Sequence, residues 1–119
     1  MNKRAIGMQA EEQACQYLEK QGYHLRIRNF QCKFGEIDLI MDSPDNEIVF
    51  VEVRYRQHSH FGGAIASITS AKQRKIIQTA EYYLQKYGLH HKSCRFDVVT
   101  FDTIQQQTNL QWITNAFQV

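Results

Sequence analysis

The residues best placed to do chemistry are Asp38, Glu52 and Arg54. They lie on two strand-like segments, Gly35-Glu36-Ile37-Asp38-Leu39-Ile40 and Val49-Phe50-Val51-Glu52-Val53-Arg54, joined through Pro44-Asp45-Asn46. Proline suits the first position of a turn and asparagine tolerates the left-handed conformation at the third. A three-residue loop of this kind pairs Ser43 with Glu47. Counting back, Asp38 falls opposite Glu52 and Glu36 opposite Arg54, with all four side chains on one face. A two-residue loop would slip the register by one and put the two acids on opposite faces. Opposed residues have Cβ atoms about 4.5–5.5 Å apart, so the two carboxylates repel unless something compensates them. A divalent cation does so, and Mg²⁺ takes one or two carboxylates while keeping several waters. The competing arrangement pairs Glu52 with Arg54 or Arg56 and leaves Asp38 in solvent; the strand pattern alone leaves both open.

A third acid joins them. Glu11 sits three residues after Met8 and three and four before Ala14 and Cys15, on the apolar side of a helical repeat. A carboxylate there is costly unless it is paired or binds a metal, and Arg28 is the alternative partner. Glu12 points elsewhere and reads as an ordinary surface residue. Between Glu52 and Glu81 there is no acid, while Arg54, Arg56, Lys72, Arg74 and Lys75 crowd the same stretch with His58 and His60. Positive charge of this kind attracts polyanions. Lys72, Arg74 and Lys75 fall at a helix start, where the dipole disfavours cations but welcomes a phosphate; extension of the same side chains into solvent is the alternative. His58 and His60 lack further ligands and read as a polar loop. Asp97 reads as a structural hydrogen-bonding residue.

The elements that must position these groups follow from periodicity. Ala5 to Gln21 reads as a helix, with Met8, Ala14, Cys15 and Leu18 at helical spacing and Gly22 as its stop. Tyr23 to Cys32 alternates Tyr23, Leu25 and Ile27 against His24, Arg26 and Arg28, a strand pattern. Gly35 to Asp42 alternates in the same way, and Glu47 to Tyr55 is rich in β-branched and aromatic residues. A loop containing Gly62 and Gly63 precedes a second helix. Ser70 and Gln73 are spaced as its capping box, Ile76, Ile77, Ala80, Tyr83, Leu84 and Tyr87 form its apolar stripe, and Gly88 ends it. Cys94 to Phe101 is a strand, and a short strand comes next near Leu110 to Thr114. The order is α-β-β-β-α-β-(β), which makes an α/β fold with a central mixed sheet flanked by helices.

With 119 residues, 43% hydrophobic and 22% charged, the chain suits a single domain (1–119) that buries its own core. Cys15, Cys32 and Cys94 are odd in number and widely spaced, which argues against a zinc or redox motif and for reduced thiols. No apolar run approaches membrane-spanning length. The basic start from Met1 to Gly7 lacks a signal core, so the expected location is cytoplasmic, with no membrane partner.

From roughly Ala5 to Phe117 the chain resembles the YraN-like family of uncharacterised bacterial proteins. The resemblance is carried by Gly7, Glu11-x-x-Ala14, Gly22-Tyr23, Arg28-Asn29-Phe30 and Gly35 to Ile40. It continues through Val49 to Arg56, Phe61-Gly62, Lys72, Arg95-Phe96-Asp97-Val98-Val99 and Asn115-Ala116-Phe117. That family is similar to restriction endonucleases and archaeal Holliday-junction resolvases, which share the PD-(D/E)XK core. The resemblance implies a restriction-endonuclease-like core and a Mg²⁺- or Mn²⁺-dependent endonuclease that hydrolyses phosphodiester bonds in structured or branched DNA. Asp38, Glu52 and the Val53 carbonyl would hold the ion, and Glu11 would stand for the acid supplied by the first helix. The motif's lysine is Arg54 here. Lysine can lose its proton when buried whereas arginine effectively cannot, so Arg54 is fitted to bind phosphate, with Lys72 as a substitute for the lysine. The alternative is a non-catalytic nucleic-acid-binding module with a degenerate site. Nucleic acid contacts are expected from Arg54, Arg56, Lys72, Arg74 and Lys75. The resemblance also allows a homodimer, since a junction has two strands to cut.

Overall fold

A computed structural model describes residues 3–56, 67–104 and 107–118, with the side chains of 3–6, 56 and 104 excepted. The His58 and His60 loop, Phe61, Gly62 and Gly63 lie outside the described residues. The elements run α1 (Lys3–Lys20), β1 (His24–Cys32), β2 (Gly35–Asp42), β3 (Ile48–Arg56), α2 (Ser70–Lys86), β4 (Cys94–Ile104) and β5 (Gln107–Phe117). This is the expected α-β-β-β-α-β order, with the last strand longer than the segment near Leu110 to Thr114 suggested.

The strands form one mixed sheet in the order β1-β2-β3-β4-β5. Only β3 and β4 run parallel; the other neighbouring pairs are antiparallel. A parallel pair needs a long crossover, usually a helix, and α2 supplies it. The helices cover opposite faces of the sheet. Ala10, Ala14, Cys15 and Leu18 of α1 pack with Leu39, Met41, Val49, Val51, Val99 and Phe101. Ile76, Ala80, Tyr83 and Leu84 of α2 pack with Ile37, Ile40, Phe50, Phe96 and Val98. Burial on both faces explains why the middle strands read as nearly continuous apolar runs.

Four local expectations change. Met8 is 63% exposed, and Ala10 takes the buried position in the first half of α1. The simple alternation of β1 fails because a bulge lies between Leu25 and Ile27. Leu25 therefore packs on the α1 side and Ile27 on the α2 side, since one extra residue in a strand re-aims the side chains beyond it. The cap of α2 is Thr69, whose Oγ1 accepts from the Lys72 N–H, and Gln73 bonds the Ile68 carbonyl rather than closing a box from Ser70. The other end of α2 closes as foreseen. Gly88 has φ +66, and the Leu89 N–H reaches the Leu84 carbonyl at 2.8 Å, the six-to-one bond of a Schellman motif. Tyr87, however, caps the helix in an exposed position instead of extending its apolar stripe.

Candidate active site

The β2–β3 hairpin sets the site, and its turn fixes the register. Asn46 has φ +66, its N–H bonds the Ser43 carbonyl at 2.9 Å, and the Ser43 N–H bonds the Glu47 carbonyl at 2.8 Å. The Ser43 hydroxyl also accepts from the Asp45 and Glu47 N–H groups. From there the ladder runs Asp42–Ile48, Met41–Val49, Ile40–Phe50 and Leu39–Val51. The next pair in that register is Asp38 with Glu52, as the three-residue turn requires.

The ladder stops at that pair. The Val53 N–H donates to Asp38 Oδ2 at 2.8 Å, so an aspartate side chain takes a backbone donor. The expected Glu36–Arg54 pairing is therefore not made: the exposed Glu36 carboxylate accepts from Gln31 at 3.1 Å. Arg54 turns back along its own strand, and its Nη2 lies 3.1 Å from Glu52 Oε2. This is the ion pair that the competing arrangement foresaw, but Asp38 is not released to solvent. It is partly buried beside the pair.

The electrostatics are those of a site short of positive charge. The Glu52 side chain is 7% exposed. Burial first, then the Asp38 charge, push its carboxyl from 4.5 up to about 8, against the pull of Arg54. Burial also raises Asp38, opposed by the Val53 N–H and by Arg54. Among the described residues, the buried side-chain atoms without a hydrogen-bond partner are Glu52 Oε1, Arg54 Nε and Thr100 Oγ1. All three lie together, because Arg54 faces Thr100 in the β3–β4 ladder and Glu52 precedes it by two residues.

Glu11 approaches from α1. Burial and then the Asp38 charge raise its carboxyl, while a hydrogen bond from the Asn29 side chain lowers it. Asn29 has φ +51 and lies in the β1–β2 register between Arg28–Leu39 and Phe30–Ile37, opposite Asp38. Arg28 does not pair with Glu11; its Nη1 is 2.6 Å from Glu12 Oε2, so Glu12 has a defined partner after all. On the α2 side, the helix presses on the start of β2. A Cβ on Gly35, whose φ is +150, would meet Thr79 Oγ1 at 3.3 Å and the Lys75 Cβ at 3.8 Å. Lys75 thus borders the strand three residues before Asp38, while Lys72 and Arg74 are exposed on the first turns of α2. Arg56 ends β3, and its side chain is outside the described set.

Among the described residues no three His, Cys, Asp or Glu side chains converge on one point able to hold a metal ion. Asp38 and Glu52 are adjacent in the β2–β3 register, and Glu11 is near enough to Asp38 for that charge to raise its carboxyl. The sequence reading missed Asn29 and Thr100 as members of the site. Arg28-Asn29 breaks the apolar alternation of β1 and was a usable signal for the first. Thr100 had none, because its neighbour is set by the parallel register of β3 and β4.

An α/β protein with one mixed sheet and an acid pair where β2 and β3 part is the class that fold and site define. The profile of the uncharacterised protein family UPF0102 matches residues 10–101, and the chain belongs to that family. A UPF0102 protein of Nitrosococcus oceani is 48% identical over 95% of this chain and 91% of its own length. Its counterpart in Psychromonas ingrahamii is 51% identical over 94% and 88%. One from Coxiella burnetii is 50% identical over 96% and 92%. Among solved structures, a repair endonuclease from Pyrococcus abyssi aligns with a TM-score of 0.48 and 14% identity over 89% of this chain, which spans 41% of that chain's length. No helix among the described residues is long and apolar enough to cross a membrane.

Proposed function

We propose that the protein is a divalent-metal-dependent endonuclease acting on phosphodiester bonds of structured or branched DNA, with Asp38 and Glu52 at its centre. The observation that carries this reading is the buried acid pair with Glu52 Oε1 unpartnered. An oxygen in that state is expensive to bury unless a cation completes it. The donor set suits Mg²⁺ or Mn²⁺: carboxylate oxygens, with room for waters where the ladder opens. Two adjacent acids meet the demand of Mg²⁺, so Glu11 is not required as a third ligand. Asp38, Glu52 and the Val53 carbonyl would hold the ion, which when bound supplies Lewis acidity at the phosphate and makes water a stronger acid.

The chain's own residues do the rest. Asp38 is held by the Val53 N–H and so keeps one orientation. Glu52 must lose its proton before it can take a cation, which the raised carboxyl delays towards alkaline pH. The Arg54 side chain is partly exposed and would bind the scissile phosphate. Glu11, raised by burial and Asp38, is suited to hold or accept a proton near the attacking water. Lys72, Arg74 and Lys75 offer positive charge to the strand on the α2 side, and Arg56 extends that charge along β3.

A second reading has its own support. Arg54 occupies the lysine position and is tied to Glu52, and arginine does not act as a proton carrier. On that reading the protein binds DNA without cutting it. The test is a cleavage screen with Mn²⁺ on duplex, single-stranded and branched DNA, alongside Mn²⁺ calorimetry on the wild type and Asp38→Asn. Endonuclease activity requires metal-dependent cutting and metal binding that the substitution abolishes. Salt-sensitive DNA binding that survives Asp38→Asn, with no cutting in the wild type or in Arg54→Lys, selects the non-catalytic reading.

A further inference from the structure

A second feature lies at the β1–β2 turn, four residues before Asp38. Phe34, Tyr82 and Tyr87 are exposed large aromatics at 37, 36 and 49%. Phe34 stands in the turn between β1 and β2, and its ring meets Tyr82 of α2 at 6.4 Å in an edge-on arrangement. Tyr82 is in turn propped against the buried Phe30 ring at 6.2 Å. Tyr82 is thus held from below, and Phe34 is held through Tyr82.

Cations surround them. Lys33 Nζ lies 5.2 Å from the Phe34 ring centre and Lys86 Nζ lies 5.6 Å from that of Tyr87. Lys75, Tyr82 and Lys86 succeed one another at i, i+7 and i+11, one edge of the helix. It is the edge that meets the β1–β2 turn, as the approach of Lys75 to Gly35 shows. Glu81 precedes Tyr82, but stands about 100° round the helix. Glu36, the nearest acid on β2, is engaged by Gln31. Phe34 is four residues from Asp38, about 13 Å along an extended strand.

Rigid exposed rings set among lysines are what unpaired nucleotides require, since bases stack on aromatic faces while cations track the backbone. We propose that Phe34 and Tyr82 form a stacking platform for the bases of an unpaired DNA strand, with Lys33, Lys75 and Lys86 on its phosphates, leading that strand to the Asp38–Glu52 site. The inference deepens the nuclease reading and rests on it for what happens at the acid pair. It selects substrates with single-stranded character beside the scissile bond. A fully paired duplex keeps its bases stacked on one another and offers the platform nothing.

The test is fluorescence anisotropy in EDTA, so that binding is read without hydrolysis. The probes are a short labelled single strand, the same strand with abasic residues, and the matching duplex. The wild type should bind the strand with bases about 5- to 160-fold more tightly than the abasic strand for each base stacked, the equivalent of about 1–3 kcal/mol. Phe34→Leu and Tyr82→Ser should each erase most of that preference while leaving abasic-strand and duplex affinity unchanged. Phe34→Trp should retain the preference, which separates ring loss from misfolding. Equal affinity for based and abasic strands overturns the proposal, as does a preference that survives both substitutions, or absence of binding to all three probes. Concentration-dependent self-association abolished by Phe34→Leu, without base dependence, would assign the face to a second copy of the chain instead. Base-dependent binding without cleavage under any metal refutes the nuclease reading alone. Cleavage with no base dependence refutes the platform alone.

Discussion

Glu52→Gln should change how the stability of the metal-free protein depends on pH. Burial and Asp38 raise the Glu52 carboxyl from 4.5 to about 8 in the folded chain, whereas the unfolded chain titrates near the ordinary value. Between those pH values the folded state holds a proton that the unfolded state has released. Stability therefore falls as pH rises through that interval, and is flat with respect to this group below 4.5 and above about 8. At about 1.4 kcal/mol per pH unit, the interval corresponds to about 5 kcal/mol, an upper value because relaxation around the pair reduces it. Glutamine keeps the shape and cannot ionise. Urea denaturation in EDTA, tracked by the fluorescence of the single tryptophan Trp112, gives the stability of both proteins at intervals from pH 5 to 8.5. The variant should gain on the wild type across this range by several kcal/mol, and the difference between the two curves cancels the histidines and other groups remote from Glu52, though not Asp38, whose charge acts on it. A difference that stays constant with pH, or one that shrinks as pH rises, would refute the reasoning and remove the charge frustration on which the metal reading rests.

Two further predictions concern the framework. Asp97→Asn should destabilise the fold by about 3 kcal/mol in the same denaturation assay, because it removes the buried charge that pairs with Arg95 and leaves the partly exposed Glu47 as its remaining counter-charge. A loss under about 1 kcal/mol would show that the network around Asp97 is not what holds β4 to β5. Asn46→Ala should cost about 1–2 kcal/mol, the usual penalty for a side chain other than glycine or asparagine at positive φ, while Asn46→Gly should stay within a few tenths of the wild type; equal losses in both would point to the Asn46 Oδ1 contact with Lys92 instead.

The hairpin was legible because two short-range rules agree there. Pro44 and Asn46 fixed the loop length, and period-two counting carried the register from Ser43 and Glu47 to Asp38 and Glu52. What failed was local geometry set by three-dimensional packing. Nothing in Leu25-Arg26-Ile27 announces the bulge that sends neighbouring side chains to opposite faces. Met8 is apolar and in phase with Glu11, yet the buried position went to Ala10, since the close approach of α1 to β3 favours a small side chain. Glu36 and Arg54 were aligned by counting, but the counting assumed a ladder that continues, and Asp38 ends it by taking the Val53 N–H. The salt bridge between Arg28 and Glu12 shows the same limit: on one helix the sequence says which residues share a face, but not which of two adjacent acids a distant arginine will reach.

The contrast between the two ends of β3 and β4 supports reading the acid pair as functional. At one end Asp97, fully buried, accepts from Arg95 Nε at 3.0 Å, Arg95 Nη2 at 3.2 Å, Trp112 Nε1 at 3.0 Å and the Asn115 N–H at 2.9 Å. Arg95 is itself completed by Glu47 at 3.0 Å and by the Tyr23 hydroxyl. This sequence can therefore bury a carboxylate and satisfy it. A few residues along the same strands, Glu52, Arg54 and Thr100 each keep a buried polar atom without a partner. Apolar residues at these positions would remove the penalty and fit a sheet whose neighbours are Phe50, Val98 and Val99. On the proposed function, the second end is where a cation and the phosphate beside it would bond to one carboxylate oxygen, one guanidinium N–H and one hydroxyl.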